Sequence, residues 1–256
     1  MLSAAILLAY ATSRFIDLPL EEINVQLPGF YLALDINLQI VVTFLVAGLT
    51  ATGADVLVRE HPHLSGRRSV DHWLLPALTA GVLAVPLYRL PIGMIWMISF
   101  AIGGALLMLV LIAEYIAVDP QDSRYPMASS GLTAVSFALF LLLAIGLRSI
   151  DLRLFLALPA LALSIFLVVL RTLNLRFQGR WALFPSLAVT IIIAQIITGL
   201  HYWPLEPITF GLAILGPAYS LTALTGALLQ GEPWKRAVLE PGIVLLIVLG
   251  ITLWIS

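Results

Sequence analysis

Long apolar stretches alternate with short polar ones along the whole chain. We distinguish about nine apolar runs, most of them near the length that crosses a hydrocarbon core of about 30 Å. Because segments in lipid must satisfy their backbone groups internally, runs of this kind predict helices, and the alternation typical of a β-barrel is absent. The chain is therefore predicted to be an all-α, polytopic transmembrane helical bundle. The predicted helices cover residues 2–17, 35–58, 73–89, 91–113, 129–147, 152–170, 182–202, 207–229 and 241–256.

The composition supports this class and excludes others. Hydrophobic residues make up 61% of the 256 positions and charged residues 11%, whereas about a quarter of a soluble domain is charged. The formal net charge of -1 leaves no basic surface for nucleic acid. The chain has no cysteine, so disulfides, thiolate metal sites and cysteine nucleophiles are excluded.

Basic residues concentrate in alternate loops. Of the 13 Lys and Arg residues, nine lie in the segments 59–72, 114–128, 171–180 and 230–240. The positive-inside rule places these loops and the N-terminus in the cytoplasm and the C-terminus outside. All basic residues except Lys235 are arginines and no Asn-x-Ser/Thr sequon occurs, which favours a prokaryotic cytoplasmic membrane.

Similar stretches recur along the chain. Arg14 to Leu20 and Arg148 to Leu154 are identical at five of seven positions, 134 residues apart, and Val58-Arg59 matches Leu170-Arg171 at an offset of 112. Because Arg and Asp positions carry the match, we interpret it as an internal duplication. The shorter offset implies extra residues in the first copy.

The duplication predicts two parallel four-helix repeats, related by an axis along the membrane normal, and one further helix. The first repeat covers residues 1–116 with an outer insertion at 21–35, the second covers 129–230, and the additional C-terminal helix covers 241–256. Small residues four apart, among them Gly103 and Gly226, predict that the helices over 91–113 and 207–229 form the central packing pair.

Three histidines, His61, His63 and His72, lie in one loop that is predicted to be cytoplasmic. Imidazole groups are ligands for zinc and other divalent ions, so these residues are a candidate metal site. The pattern favours a solvated loop instead, because no helical pair of ligands fixes the geometry. His201 is a candidate axial ligand of a tetrapyrrole, although its Tyr and Trp neighbours favour an aromatic interfacial belt.

Arg14 and Arg148 recur at the predicted outer boundary, each three residues before an Asp. Pairing within one helical face explains them without a function. The alternative is a pseudo-symmetric site in which both arginines bind an anionic headgroup or solute.

Helix-breaking residues suggest a second candidate site. Gly216-Pro217 interrupts the helix over 207–229, and broken helices line substrate sites in many transporters. Gln195, Tyr219 and Gly216 are therefore the candidate substrate-binding residues of a carrier. Proline is also commoner in transmembrane helices than in soluble ones, so a structural role is the favoured interpretation.

Ionisable side chains are absent from the interiors of the predicted spans, and Glu114 is expected to be hydrated at a helix end. Proton relays and cation-coupled carriers use intramembrane ionisable groups, so their absence argues against a pump. The patterns of intramembrane proteases are absent as well.

The favoured function is therefore a non-catalytic scaffold or accessory subunit of a larger membrane complex. Such a protein would pack on partner helices or on apolar molecules such as a bound lipid or pigment, and we expect no enzyme activity. Two alternatives stay open: a carrier for a neutral or amphipathic solute, and a lipid-modifying membrane enzyme that uses the loop with His61 and Asp71.

Overall fold

The computed structural model describes residues 21–27, 30–36, 38–62 and 69–255. Within them, eight α-helices are each long and apolar enough to cross a bilayer. The protein is thus a multi-pass integral membrane protein. The helices are α1 (Leu38–Arg59), α2 (Leu74–Arg89), α3 (Met94–Ile116), α4 (Tyr125–Arg148), α5 (Leu154–Arg176), α6 (Leu183–His201), α7 (Pro207–Leu229) and α8 (Trp234–Ile255).

Two short elements complete the described chain. Strands β1 (Glu21–Leu27) and β2 (Phe30–Ile36) form an antiparallel hairpin in which Glu21 pairs with Ile36. A 3-10 turn, Val70–His72, precedes α2.

Eight of the nine predicted helices are confirmed, and the ninth, over residues 2–17, lies outside the described residues. The hairpin occupies the segment 21–35 that was predicted as an outer insertion, where no helix was expected. A signal for strands is present in the sequence, because Ile23, Val25 and Leu27 alternate with polar residues. A short alternating pattern is a weaker signal for secondary structure than the long apolar runs around it.

The core of the bundle lies among α4, α5, α6 and α7. Phe140, Ile165, Ile193 and Ile214, one from each helix, belong to one apolar cluster and are fully buried. Helix α8 packs against α7, where Gly216 allows close approach: a Cβ at this position would lie 3.1 Å from Cγ1 of Val248. The absence of a side chain at Gly216 therefore allows α7 and α8 to pack closely.

Helices α1, α2 and α3 surround a second apolar cluster that contains Val46, Ala80 and Leu107. Helix α2 joins the two parts by packing against α4. At this crossing a Cβ on Gly146 would lie 2.7 Å from Cγ1 of Val85, so only glycine permits the observed approach.

Hydroxyl groups within the helices are mostly satisfied locally. The hydroxyls of Thr50, Ser136, Thr190 and Thr222 each donate to the carbonyl four residues earlier, at 2.7–2.8 Å. This is the arrangement expected in lipid, where no water is present to satisfy them. These side chains therefore do not mark a polar path through the bundle.

The expected central packing pair was wrong. Helix α3 packs against α2 and α4, whereas α7 packs against α8, α4 and α6. The small residues serve other contacts, since Gly103 faces Leu83 and Gly226 faces Arg176. A small residue indicates that another part of the protein approaches the helix closely, but it does not indicate which part.

The neighbour relations of α1, α2 and α3 match those of α5, α6 and α7, since in each set every helix packs against the other two. This similarity is compatible with the duplication, which stays a prediction together with its boundaries at 1–116, 129–230 and 241–256.

Four helices extend beyond the apolar runs that predicted them. Helix α3 ends at Ile116, α4 begins at Tyr125, α5 ends at Arg176 and α8 begins at Trp234. Successive crossings place all four extensions at the end of the bundle whose loops carry most of the basic residues, which we call the basic end. The extended turns bring charged residues into the helices there.

A buried polar network at the basic end

Five polar side chains from three parts of the chain meet at the basic end. Asp71 and His72 lie on the 3-10 turn before α2, Glu114 lies in the last turn of α3, and Arg171 and Asn174 lie three residues apart on α5. Their burial is nearly complete: Glu114 is 1% exposed and Arg171 2%. The arrangement therefore holds charged groups out of solvent.

Arg171 and Glu114 form the centre of this polar network. Nε of Arg171 donates to Oε1 of Glu114 at 3.0 Å, and Nη2 donates to Oε2 of the same carboxylate. Such a two-point pair matches the planar guanidinium to the carboxylate. Nη1 of Arg171 donates to Oδ1 of Asn174 at 2.8 Å.

The 3-10 turn completes the network. Nδ1 of His72 lies 2.7 Å from Oε2 of Glu114 and 3.2 Å from Nη2 of Arg171. A proton on Nδ1 makes the imidazole a donor to Glu114, whereas the other neutral tautomer makes it an acceptor from Arg171. Nδ2 of Asn174 donates to Oδ2 of Asp71 at 2.8 Å.

The other carboxylate oxygen of Asp71, Oδ1, is buried and has no hydrogen-bond partner among the described residues. The remaining side-chain atoms in this condition are hydroxyls, on Ser164, Thr172 and Thr209. Leaving a buried acceptor unsatisfied costs about 1–3 kcal/mol, and more when the group is charged. Asp71 is thus the member of the network that carries an unsatisfied buried acceptor.

A pocket of about 290 Å³ opens beside the network. Its wall includes Asp71, His72, Arg171, Tyr125 from the start of α4, and Gln178 and Trp181 from the loop after α5. The Tyr125 hydroxyl donates to the Leu175 carbonyl at 2.6 Å. Helices α4 and α5 and the 3-10 turn therefore share one polar pocket.

The segment after α5 reaches the pocket through a strained turn. Gln178 has φ +52°, and the Gln178 and Gly179 N–H groups donate to the Leu175 and Asn174 carbonyls. This is a Schellman motif, in which the left-handed residue is usually glycine. Helix α7 ends in the same motif with Gly231 at the left-handed position. A glutamine at the pocket wall thus occupies a conformation that favours glycine.

A second polar cluster holds the 3-10 turn in place. The Asp55 carboxylate of α1 accepts hydrogen bonds from Arg59, from the Ser69 hydroxyl and from the Trp73 indole N–H. Ser69 and Trp73 flank the turn. Asp55 therefore fixes the turn from both sides and positions Asp71 and His72.

The expectation that Glu114 is hydrated was wrong, because the residue is 1% exposed. Glu114 and Arg171 each lie one residue beyond a predicted span, so they do not contradict the absence of ionisable groups from the interiors of those spans. Arg171 and Glu114 lie inside α5 and α3 because these helices continue past the predicted ends at 170 and 113. A helix predicted from a run of apolar residues ends at the first charged residue, even where the helix itself continues. Arg171 and Asn174 at i, i+3 were the available signal, whereas nothing local points to Glu114 as their partner.

The candidate carrier residues lie apart from this pocket. Gln195 is exposed on α6, and Gly216 packs against α8. Tyr219 contacts the Phe137 ring edge-on at 5.4 Å between centroids, and its hydroxyl lies 3.5 Å from Oε1 of Glu240. A role for them in substrate binding stays a prediction.

Arg148 is engaged by backbone carbonyls. Its Nη1 donates to His201 at 3.0 Å, Nη2 to Trp203 at 2.9 Å, and Nε to Leu205 at 3.3 Å. Its partners are thus carbonyls at the end of α6 and in the loop after it, and its guanidinium carbon also lies 5.3 Å from the centroid of the Phe210 ring. Arg14, the other proposed anion ligand, lies outside the described residues.

The histidines do not form one described cluster. The His61 ring lies edge-on to Tyr115, whereas His72 contacts the adjacent Glu114. His63 lies outside the described residues. Within the part of the chain that the structure describes, no group of three or more His, Asp or Glu residues is suited to hold a metal ion. His201 ends α6, its ring centroid 5.5 Å from that of Tyr202.

Comparisons with known proteins give a family and no function. A family model described as a protein of unknown function (DUF5656) matches residues 18–255. The chain therefore belongs to the DUF5656 family. Comparison with curated proteins gave no match. Comparison with solved structures also gave none.

Proposed function

We propose that this member of the DUF5656 family is a non-catalytic membrane protein that holds the polar part of an amphipathic molecule, acting as an accessory subunit or scaffold. The observation that carries the proposal is the pocket at the basic end, whose wall includes Asp71, a residue with one buried carboxylate oxygen that has no partner among the described residues. A pocket at the end of a membrane-spanning bundle is expected at the depth of the lipid headgroups.

The state of the charged groups supports binding over catalysis. Arg171 and Glu114 bond to one another at two points, so each holds the other in place. Groups that bond to one another in this way stabilise the structure of a site. The proposal agrees with the scaffold expected from the dry, apolar helices.

The test is to identify the molecules that bind in the pocket. The purified chain would be reconstituted with a photoactivatable phospholipid, irradiated, and digested for mass spectrometry. We expect crosslinks concentrated on the segments 117–125 and 174–181, which line the pocket. Crosslinks spread evenly over the exposed faces of α1, α6 and α8 would indicate ordinary bilayer lipid and would overturn the proposal.

A second candidate function, a lipid-modifying enzyme, is favoured by one observation. His72 lies at the pocket wall with Nδ1 2.7 Å from a Glu114 oxygen, and a carboxylate that orients an imidazole is a common feature of general bases. The geometry favours His72 over His61 for this role. A change in lipid composition that requires wild-type protein, is lost in His72→Gln and is kept in His61→Gln would support the enzyme and contradict the scaffold.

A further inference from the structure

We propose that the group bound in this pocket is a protonated primary amine, the ammonium headgroup of an aminophospholipid or of a free alkylamine. The inference rests on the proposed function, because it names the ligand class of the same pocket. Four features of the described residues support it.

The first feature is the free acceptor. Asp71 is 8% exposed, and only its Oδ2 has a partner, the Asn174 amide. A carboxylate oxygen has lone pairs and no proton to donate. An N–H or O–H donor would satisfy Oδ1, and a positive charge on the donor strengthens the bond.

The second feature is the shortage of positive charge available to an anion. Arg171, the guanidinium in the pocket wall, is neutralised by Glu114, and its Nη1 donates to Asn174. The Tyr125 hydroxyl donates its proton to the Leu175 carbonyl, so its oxygen accepts any further bond. No other Lys or Arg is among the described residues that line the pocket, so a phosphate or carboxylate there would face Asp71 without an unpaired guanidinium or ammonium group in the wall.

The third feature is aromatic. Tyr125 and Trp181 both line the pocket, and the faces of such rings attract ammonium groups. A volume of about 290 Å³ is at the small end for ligand pockets. An aminoethyl group fits these limits better than a large polar molecule.

The fourth feature points to a lipid as the source of the amine. An apolar groove of about 350 Å³ lies between α3 and α4, with Ile112, Met127 and Val135 in its wall. Its rim residues Ile116 and Arg124 directly adjoin, in sequence, Ala117 and Tyr125 of the pocket.

This placement assigns three parts of one lipid. The ammonium group meets Asp71, the phosphate meets Arg124, and an acyl chain lies in the groove. Arg124 is exposed, and its guanidinium forms no ion pair with the described residues. A cation beside an apolar groove at a membrane boundary is complementary to a lipid phosphate.

The decisive experiment uses wild-type protein and a graded headgroup series. The purified chain would be delipidated, mixed with equal amounts of phosphatidylethanolamine, its N,N-dimethyl derivative and phosphatidylcholine with identical chains, and analysed by native mass spectrometry. We expect retention to fall about tenfold from the first lipid to the last, because trimethylation removes every N–H donor. Equal retention of all three lipids would overturn the inference.

Two variants locate the effect. Asp71→Asn removes the charge with little change in size and should abolish the preference for phosphatidylethanolamine. Glu232→Gln removes an exposed carboxylate in the loop after α7 and should leave the preference unchanged. An unchanged preference in Asp71→Asn would also overturn the inference, and the wild-type series still decides it if that variant does not fold.

A competition arm separates the two sources of amine. If free ethanolamine or butylamine at millimolar concentration binds as tightly as the lipid, the ligand is a soluble amine; if neither displaces the lipid, it is a lipid. Crosslinks at the pocket with no headgroup preference would leave the proposed function standing and refute only the amine. Crosslinks absent from the pocket would refute both.

Discussion

The guanidinium of Arg171 on α5 donates two hydrogen bonds to the carboxylate of Glu114 on α3, 57 positions away in the chain. Both residues are almost completely buried. Burying two charges carries a desolvation cost that their attraction does not always repay. Removing one partner lowers the stability of the protein much more, since the other charge then stays buried without its partner. The pair therefore links α3 to α5 through its side chains, and the loss of one partner should cost more than the loss of both.

The first prediction concerns this pair. Arg171→Met should lower the free energy of unfolding by about 3–5 kcal/mol, because it leaves the buried Glu114 carboxylate without its guanidinium partner. Adding Glu114→Leu should recover most of the loss. Denaturation in detergent followed by circular dichroism measures both variants.

A matched control is available in α1. Arg59 pairs with Asp55 at 2.8 Å, but the Arg59 side chain is 66% exposed. Arg59→Met should therefore cost no more than about 1 kcal/mol. Equal losses for Arg59→Met and Arg171→Met would contradict a special role for the buried pair.

The second prediction concerns the turn at the end of α5. Gln178→Gly should raise the free energy of unfolding by about 1 kcal/mol, since φ +52° is unfavourable for a residue with a Cβ. Gly231→Ala should lower it by a similar amount, because Gly231 has φ +79°. Thermal unfolding of the two variants is the measurement. A less stable Gln178→Gly would show that the glutamine side chain itself contributes to the pocket.

The third prediction concerns Arg148. Arg148→Ala should cost about 1–3 kcal/mol, because three loop carbonyls lose a charged donor. Amide hydrogen exchange should rise in residues 201–206. Arg153→Ala is the control, since its exposed side chain makes no hydrogen bond to the described residues. Unchanged exchange in Arg148→Ala would mean that the loop is held by its other contacts.

The fourth prediction tests orientation. Because the chain has no cysteine, a single introduced thiol is a unique label. If the basic end faces the cytoplasm, Glu232→Cys should react with a membrane-impermeant maleimide only in inside-out vesicles. Tyr202→Cys, at an exposed residue of the opposite end, should react in right-side-out vesicles. The reverse pattern would invert the predicted topology.

The apolar pattern of the sequence predicted the helices well, because each segment that crosses a bilayer must be apolar and must satisfy its own backbone groups. A run such as 207–229 predicts α7 (Pro207–Leu229) with the same boundaries, since its flanking charges mark where the helix leaves the apolar layer. The same rule failed at α5, where Arg171 ended the predicted run while the helix continued to Arg176. A charge paired inside the protein and a charge exposed to water look alike in a sequence.

The sequence by itself determined that this is a multi-pass helical membrane protein, which end of the bundle is basic, and that thiol chemistry is excluded. These conclusions depend only on local composition. Only the tertiary structure decided that Arg171 of α5 reaches Glu114 of α3, that His72 lies beside both, and that one buried oxygen of Asp71 has no partner among the described residues. Partnership between side chains 42 to 103 residues apart is a property of how the helices pack, and no local pattern carries it.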